Sequence, residues 1–257
     1  MTSATATYAA PSPSPLRRLT RIEFRLLLRE RVGLIWGLAF PPVLLIILGT
    51  LGGQKADKDL DGLTLAATYV PIVIAFSVAM LALNVMPPVL GTYREKGVLR
   101  RMSTTPVPPS RLLAAQVAIN LAVAAVTTVL VLIIGRVAFD VGLPRQAGGF
   151  LIALVLAAAG LFAIGLTIAA LAPTGKAANA AGAITFFPMM FFAGRWVPRA
   201  VMPDALRHVS DFTPMGAAVQ ALQDSARGHF PHALHLAVLA VYAVGFTVAA
   251  IRLFRWE

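Results

Sequence analysis

The sequence contains no cysteine and few charged residues, and each of these features narrows what the protein can be. Without cysteine there is no disulfide framework, no thiolate metal ligand and no thiol nucleophile. Only 13% of the 257 residues are charged, whereas 58% are hydrophobic. A soluble domain of this length needs a far more polar surface, so the excess of apolar residues indicates contact with lipid. The composition therefore predicts an integral membrane protein.

Six stretches without any charged residue are each long enough to cross a bilayer once. Crossing about 30 Å of hydrocarbon takes roughly 17–25 helical residues, and the six stretches contain between 18 and 32 residues. They predict an all-α fold with six transmembrane helices, at 33–52, 63–91, 111–135, 148–171, 177–194 and 232–251. A seventh charge-free stretch, 212–223, has only 12 residues and is predicted to be re-entrant or interfacial.

The distribution of charge predicts the orientation of the chain. With six crossings, one side of the membrane receives 14 of the 22 basic residues and all four glutamates, and the other side receives all seven aspartates. The two sides then carry net charges of +10 and +1, and the positive-inside rule places the more basic side in the cytoplasm. The excess of arginine (18) over lysine (4) is typical of a GC-rich bacterial gene. We therefore expect a multi-pass protein of the bacterial plasma membrane with both termini cytoplasmic, and no nucleic-acid partner.

The first 31 residues divide into a tail and a surface helix. Residues 1–15 are rich in Ser, Thr, Ala and Pro and are predicted to be disordered. In residues 16–31 the arginines gather on one side of a helical wheel and the leucines on the other, which is typical of an amphipathic helix on an anionic membrane surface. Glu23 and Glu30 sit beside the leucine stripe, where they either pair with nearby arginines or face a cationic partner surface.

The sequence lacks the usual means of powering transport within the same chain. The phosphate-binding pattern GxxxxGK[ST] is absent, because Gly175 and Lys176 are followed by Ala177. No predicted span has Asp, Glu, Lys or Arg at its centre, which disfavours an ion-coupled carrier. An energy source must then lie outside the bilayer or on another polypeptide, and we expect no cofactor in this chain.

Three histidines lie close together on the predicted outer side: His229, His232 and His235. They could ligate a metal ion, but zinc sites of this kind rarely lack a Cys or carboxylate ligand, and Pro231 interrupts a shared helix. Hydrogen bonding at the membrane interface is the alternative, so no metal site is predicted. An integral-membrane enzyme that uses these histidines with Asp204 or Asp211 is a second functional hypothesis.

The strongest local signal is the predicted inner loop 94–111, REKGVLRRMSTTPVPPSR. It contains five basic residues, a stretch compatible with a helix from Arg94 to Met102, and a proline-rich stop. Taken alone, it is either a short amphipathic helix parallel to the membrane or a plain positive-inside loop.

This loop also resembles a family signature. Residues 93–102 (YREKGVLRRM), the Thr-Pro-Val at 105–107 and residues 111–116 (RLLAAQ) are similar to the pattern REKGTLxRLxxTPV…RLLxAQ of the ABC-2 type transporter permeases. Residues 191–198 (FFAGRWVP) resemble the outer segment of the same family, although alanine, glycine and arginine at 193–195 stand where Ser-Gly and an apolar residue are commoner. The resemblance covers essentially the whole chain and is strongest to daunorubicin-resistance and antibiotic-resistance permeases.

The resemblance implies an ATP-driven exporter in which two permeases pair, as a homodimer or a heterodimer. Each permease would dock a separate ATP-binding subunit, which carries the ATP and Mg, so this chain would not itself be an enzyme. Residues 94–105 would form the coupling helix beside the surface helix 16–31, and residues 195–227 an extracellular re-entrant pair. The residues implied to couple to the ATPase are Arg94, Glu95, Lys96, Gly97, Arg100, Arg101, Glu23 and Glu30.

The substrate pathway implied by the family lies between the two permeases and is lined by the second and fifth spans. These spans offer Phe76, Met80, Asn84, Phe186, Phe187, Met190 and Phe191. Aromatic and methionine side chains adapt to varied apolar ligands. The expected substrate is a small amphiphilic compound, such as a drug, an antibiotic or a lipid-like molecule, and a polysaccharide or lipid exporter of the same family is the alternative.

Overall fold

The computed structural model describes residues 35–52, 62–98, 101, 110–194 and 203–254. Within these ranges the chain forms helices and connecting turns and no β-strand, which confirms the predicted all-α membrane fold. The predicted tail 1–15 and surface helix 16–31 lie outside the described residues.

Eight helices follow one another in the described part of the chain. They are α1 Ile35–Gly52, α2 Leu65–Glu95, α3 Ser110–Phe139, α4 Ala147–Leu171, α5 Gly175–Phe192, α6 Asp204–Phe212, α7 Pro214–Arg227 and α8 Ala233–Leu253. Five of them are long and apolar enough to cross a membrane, namely α1, α2, α3, α4 and α8. The fifth predicted span corresponds to α5, which has 18 residues and is less apolar because Lys176 and Asn179 lie near its start. The count of six crossings therefore stays a prediction.

Threonine, proline and glycine explain where several helices begin and end. Thr64, Thr174 and Thr213 precede α2, α5 and α7, and each hydroxyl accepts a hydrogen bond of 3.1–3.2 Å from the amide three residues later. Pro214 occupies the first position of α7, where a missing N–H costs nothing. Gly228 ends α7 with a φ of 98°, a left-handed conformation that favours glycine.

Helix α2 lies at the centre of the bundle. In its most apolar window 72% of the residues are buried, compared with 39% in α3 and 11% in α8. Its first half packs against α1, α3 and α7, and its second half packs against α4 and α5. This helix continues to Glu95, four residues beyond the predicted span, so its last turn carries charged side chains.

One turn of α2, Leu81–Val85, has π geometry. A side chain at Gly165 of α4 would overlap the carbonyl oxygen of Ala82, and a side chain at Gly182 of α5 would overlap that of Leu83. Only glycine permits such close approach of two backbones. The backbones of α4 and α5 therefore approach α2 closely at this π turn.

Two short helices, α6 and α7, lie within the predicted re-entrant segment 195–227, of which residues 195–202 are outside the described ranges. Helix α7 is the more buried of the two, with Met215 and Leu222 fully enclosed. It packs against α4, α8 and α2, while α8 lies along α4. These contacts fix one end of the bundle.

Candidate functional site

The charged last turn of α2 lies against the end of α4. Nη1 of Arg94 donates hydrogen bonds to the carbonyl oxygens of Ala169 and Ala172, at 2.8 and 2.7 Å. Carbonyls at a helix C-terminus lack intrahelical partners, and the helix dipole there favours a cation. The guanidinium carbon of Arg94 also lies 5.1 Å from the centre of the Phe254 ring, just beyond α8. Arg94 therefore joins the ends of three helices.

Glu95 makes the complementary contact on the same turn of α2. Its Oε2 atom accepts a hydrogen bond of 3.4 Å from the amide of Gly175, the first residue of α5. A helix N-terminus presents free amides and a partial positive charge, so an anion is favoured there. Adjacent residues of α2 thus place a cation on the end of α4 and an anion on the start of α5.

Glycines allow these helix ends to approach closely. A Cβ atom at Gly91 would lie 2.8 Å from the carbonyl oxygen of Thr174, and one at Gly175 would overlap the hydroxyl of Thr92. The last turn of α2 therefore packs closely against the α4–α5 turn because glycines leave room for the two backbones, and the charges of Arg94 and Glu95 add to this contact. We call this set the Arg94 junction: Gly91, Thr92, Arg94, Glu95, Ala169, Ala172, Thr174, Gly175 and Phe254.

Gly97 separates α2 from the segment that follows. Its φ is 66°, in the left-handed region, and its carbonyl accepts a hydrogen bond of 3.1 Å from the amide of Arg101, as in a helical turn. Arg94 and Glu95 thus belong to α2, whereas a new turn begins after Gly97. Lys96 and Arg101 are exposed. Three further predicted coupling residues lie outside the described residues: Glu23, Glu30 and Arg100. The extent of the predicted coupling helix 94–105 stays a prediction.

Two of the predicted pathway residues meet where α2 contacts α5. The rings of Phe76 and Phe186 are 5.5 Å apart and both side chains are buried, at 6% exposure. Phe187 is 63% exposed, and its ring lies 5.9 Å from that of Phe186. Phe76 and Phe186 therefore form a buried aromatic contact, whereas Phe187 lies on an exposed face of α5. Of the other predicted pathway residues, Met190 is buried and Met80, Asn84 and Phe191 are partly buried.

Asn84 lies in the π turn of α2, midway along the helix. Its Nδ2 atom is buried and has no hydrogen-bond partner among the described residues. A buried amide without a partner costs about 1–3 kcal/mol, and polar groups inside a membrane bundle commonly mark functional positions. Among the predicted pathway residues, Asn84 is thus the one whose buried polar group indicates a functional position.

At the other end of the bundle, His235 joins α8 to α6 and α7. Its Nε2 atom lies 3.2 Å from Oδ1 of Asp211, and its Nδ1 atom lies 3.9 Å from Oδ2 of Asp224. The side chains of His235 and Asp211 are only 11% and 16% exposed. Asp224 also accepts a hydrogen bond of 3.4 Å from the amide of His232. We call these four residues the His235 junction.

The Nε2 atom of His235 makes a hydrogen bond to Asp211 between helices, whereas Nδ1, at 3.9 Å from Asp224, makes an electrostatic contact. Among the residues that the structure describes, no group of three His, Cys, Asp or Glu side chains is placed to hold a metal ion. His229 is exposed, and Asp204 lies 3.7 Å from Arg207 of its own helix. The contact between His235 and Asp224 was not predicted from the sequence, because it depends on the tight turn between α7 and α8. The left-handed Gly228 after Arg227 is the local signal for such a turn.

Two comparisons place the chain among known proteins. The family model of the ABC-2 type transporter matches residues 15–226. Nodulation protein J of Bradyrhizobium diazoefficiens is 32% identical to the chain over 94 residues. That alignment covers 36% of this chain and 36% of the relative.

Proposed function

The chain belongs to the ABC-2 type transporter family, and from this premise we propose that it is the membrane subunit of an exporter driven by a separate ATP-binding subunit. The family match confirms the resemblance seen in the sequence and identifies a transport protein of the membrane. Members of this family normally work with an ATP-binding subunit. The relative is matched over too little of its length to extend what is known of it to this chain.

Exposed basic residues at one end of the bundle carry the proposal. They are Lys96, Arg101, Lys176 and Arg252, and they surround the Arg94 junction. The aspartates described by the structure lie at the opposite end, where Asp204, Asp211 and Asp224 belong to α6 and α7 and Asp140 follows α3. The positive-inside rule then favours a cytoplasmic location for the Arg94 end, where a soluble ATP-binding subunit would dock.

The proposed pathway lies between two copies of the permease, along α2 and α5. The exposed Phe187 and the buried pair of Phe76 and Phe186 provide aromatic surface, and Asn84 provides an amide nitrogen that has no hydrogen-bond partner in the described part of the chain. An apolar lining with few polar groups suits a small amphiphilic drug, antibiotic or lipid-like compound. A polysaccharide would present many more hydroxyl groups than this lining can pair, so we favour the amphiphilic substrate.

Purification of the affinity-tagged chain from its source bacterium tests the proposal. We expect an ATP-binding subunit that carries GxxxxGK[ST] to copurify, and ATP hydrolysis to accompany it. Arg100→Glu should reduce the copurified amount or uncouple hydrolysis from transport, because the family resemblance implies that this charge couples to the partner. The matched control is Arg136→Glu, which reverses a charge at the opposite end. Activity of the chain without any ATP-binding subunit would contradict the proposal and favour an enzyme or a carrier.

The substrate is tested separately. A strain that overproduces the chain with its ATP-binding subunit should resist at least one class of amphiphilic compound in a susceptibility panel. Lost resistance in an ATPase-inactive strain would show that export needs ATP. Resistance that persists in that strain would contradict export as its cause.

A further inference from the structure

Arg94 and Glu95 begin the segment that resembles a coupling helix, yet their described contacts lie within this chain. Arg94 donates to Ala169 and Ala172 at the end of α4, and Glu95 accepts from Gly175 at the start of α5. Both side chains thus turn towards the α4–α5 turn. The partly buried guanidinium of Arg94 is engaged in this way and is poorly placed to bind a second protein, whereas Glu95 is exposed and is held through one carboxylate oxygen.

The same turn of α2 gathers the ends of three other helices. Arg94 reaches α4 and the ring of Phe254 after α8, while Glu95 reaches α5. Gly91 adds backbone contact with Thr174. The planar guanidinium suits this position, because it holds two acceptors in fixed directions where an ammonium would act as a point charge.

Gly97 marks the boundary between this fitted turn and the segment that follows it. Because its backbone is left-handed, the chain changes direction there. Lys96 and Arg101, on either side of Gly97, are exposed. A force applied to Lys96 or Arg101 therefore acts first on the last turn of α2. From there it acts on the end of α4 and the start of α5, which this turn contacts.

We propose that Arg94 and Glu95 are positioning residues that lock the end of α2 to the α4–α5 turn, so that movement of the ATP-binding subunit reaches α4 and α5 together with α2. This inference rests on the proposed function and assigns direct contact with the partner to the exposed residues Lys96 and Arg101, together with Arg100 of the same segment. The lock consists of side chain to backbone hydrogen bonds at the two helix ends.

Hydrogen exchange of backbone amides, read by mass spectrometry, tests the lock in the purified complex. In the wild type, Mg-ATP with vanadate should change the exchange rates of both the 93–98 and the 172–178 peptides by about threefold or more. In Arg94→Gln the response of 93–98 should remain and that of 172–178 should be lost. The matched control is Arg252→Gln, which removes an exposed charge at the same end and should behave as the wild type.

A merely structural role of Arg94 would alter stability without separating these two responses. If Arg94→Gln does not yield a folded complex, Arg94→Lys keeps the charge and should show a reduced response at 172–178. A retained response in the variant that folds would overturn the lock. So would a loss of the copurified subunit in Arg94→Gln with normal exchange at 172–178, because Arg94 would then contact the partner directly.

Failure of the proposed function gives a different result. If no ATP-binding subunit copurifies with the wild type, that function is wrong whatever the variants do. The full chain alone then decides the lock, because Arg94→Gln should raise the exchange of the 172–178 amides about tenfold, as a locally opened segment does. Unchanged exchange would overturn it.

Discussion

The two ends of the bundle are held together by different kinds of bond. At the Arg94 junction a side chain donates to backbone carbonyls, so the partner positions contribute only their main chain. At the His235 junction the imidazole of His235 faces side chains, those of Asp211 and Asp224. The Arg94 end therefore depends on the identity of a few residues of α2, whereas the His235 end depends on matched pairs from three helices. Substitutions should expose this difference.

The largest effect is expected at the His235 end from Gly216→Val. A side chain at Gly216 would overlap the carbonyl oxygen of Ser210, and that backbone atom cannot rotate away. We expect the free energy of unfolding to fall by about 3 kcal/mol, the upper part of the usual range for overpacking. Reversible unfolding in SDS mixed micelles measures it. Gly245→Val is the control, since nothing lies within 4 Å of its Cβ position.

Removing the histidine should cost somewhat less. His235→Ala leaves the buried carboxylate of Asp211 without this partner, which is expected to lower the free energy of unfolding by about 2 kcal/mol. His235→Ala and Asp211→Ala together should cost less than the sum of the two single changes, because they share one interaction. The exposed His229→Ala serves as the control. Additive costs would show that the pair does not interact.

A smaller effect is expected at the Arg94 end from Glu95→Gln. The amide oxygen can still accept from Gly175, but the favourable charge at the start of α5 is lost. We expect a loss of about 0.5 kcal/mol that shrinks further at high salt, because charge–dipole interactions at exposed sites are screened. Unfolding at two salt concentrations, with Lys96→Gln for comparison, checks this. A loss that is independent of salt would rule out the charge as its cause.

The smallest effect on stability is expected between the two ends, at Asn84→Leu. This change removes a buried amide nitrogen that lacks a partner among the described residues, so the free energy of unfolding should stay the same or rise. Stimulation of ATP hydrolysis by the exported compound should nevertheless be lost if Asn84 lines the pathway. Full stimulation in a stable Asn84→Leu complex would remove Asn84 from the pathway.

Much of the fold could be predicted from the sequence because lipid imposes long charge-free helices. The all-α membrane fold was predicted correctly, and Thr64 and Thr174 supply the caps of α2 and α5. Helix α2 continues four residues beyond the end predicted at 91, because a charge-free stretch cannot include Arg94 or Glu95. Arg94 and Glu95 continue the helix since each finds a helix end to bind.

The details of the candidate site depend on contacts between distant residues and could not be predicted. The partners of Arg94 are carbonyls, which every residue carries, so no side-chain pattern reveals them. The π turn of α2 packs closely against Gly165 and Gly182, which lie far from it in the sequence. Phe76 and Phe186 were both predicted to line one pathway, but the contact between their rings was not predicted.

The π turn Leu81–Val85 changes the helical phase of α2. An α-helix advances by about 100° per residue, and a π turn accommodates one extra residue, so the faces before and after it are out of step by that angle. Counting in steps of three and four from Phe76 therefore misplaces every residue beyond Val85. Deleting one residue in this turn would rotate the whole segment Met86–Glu95 about its axis. Arg94 would then swing away from the end of α4 although neither partner had been altered.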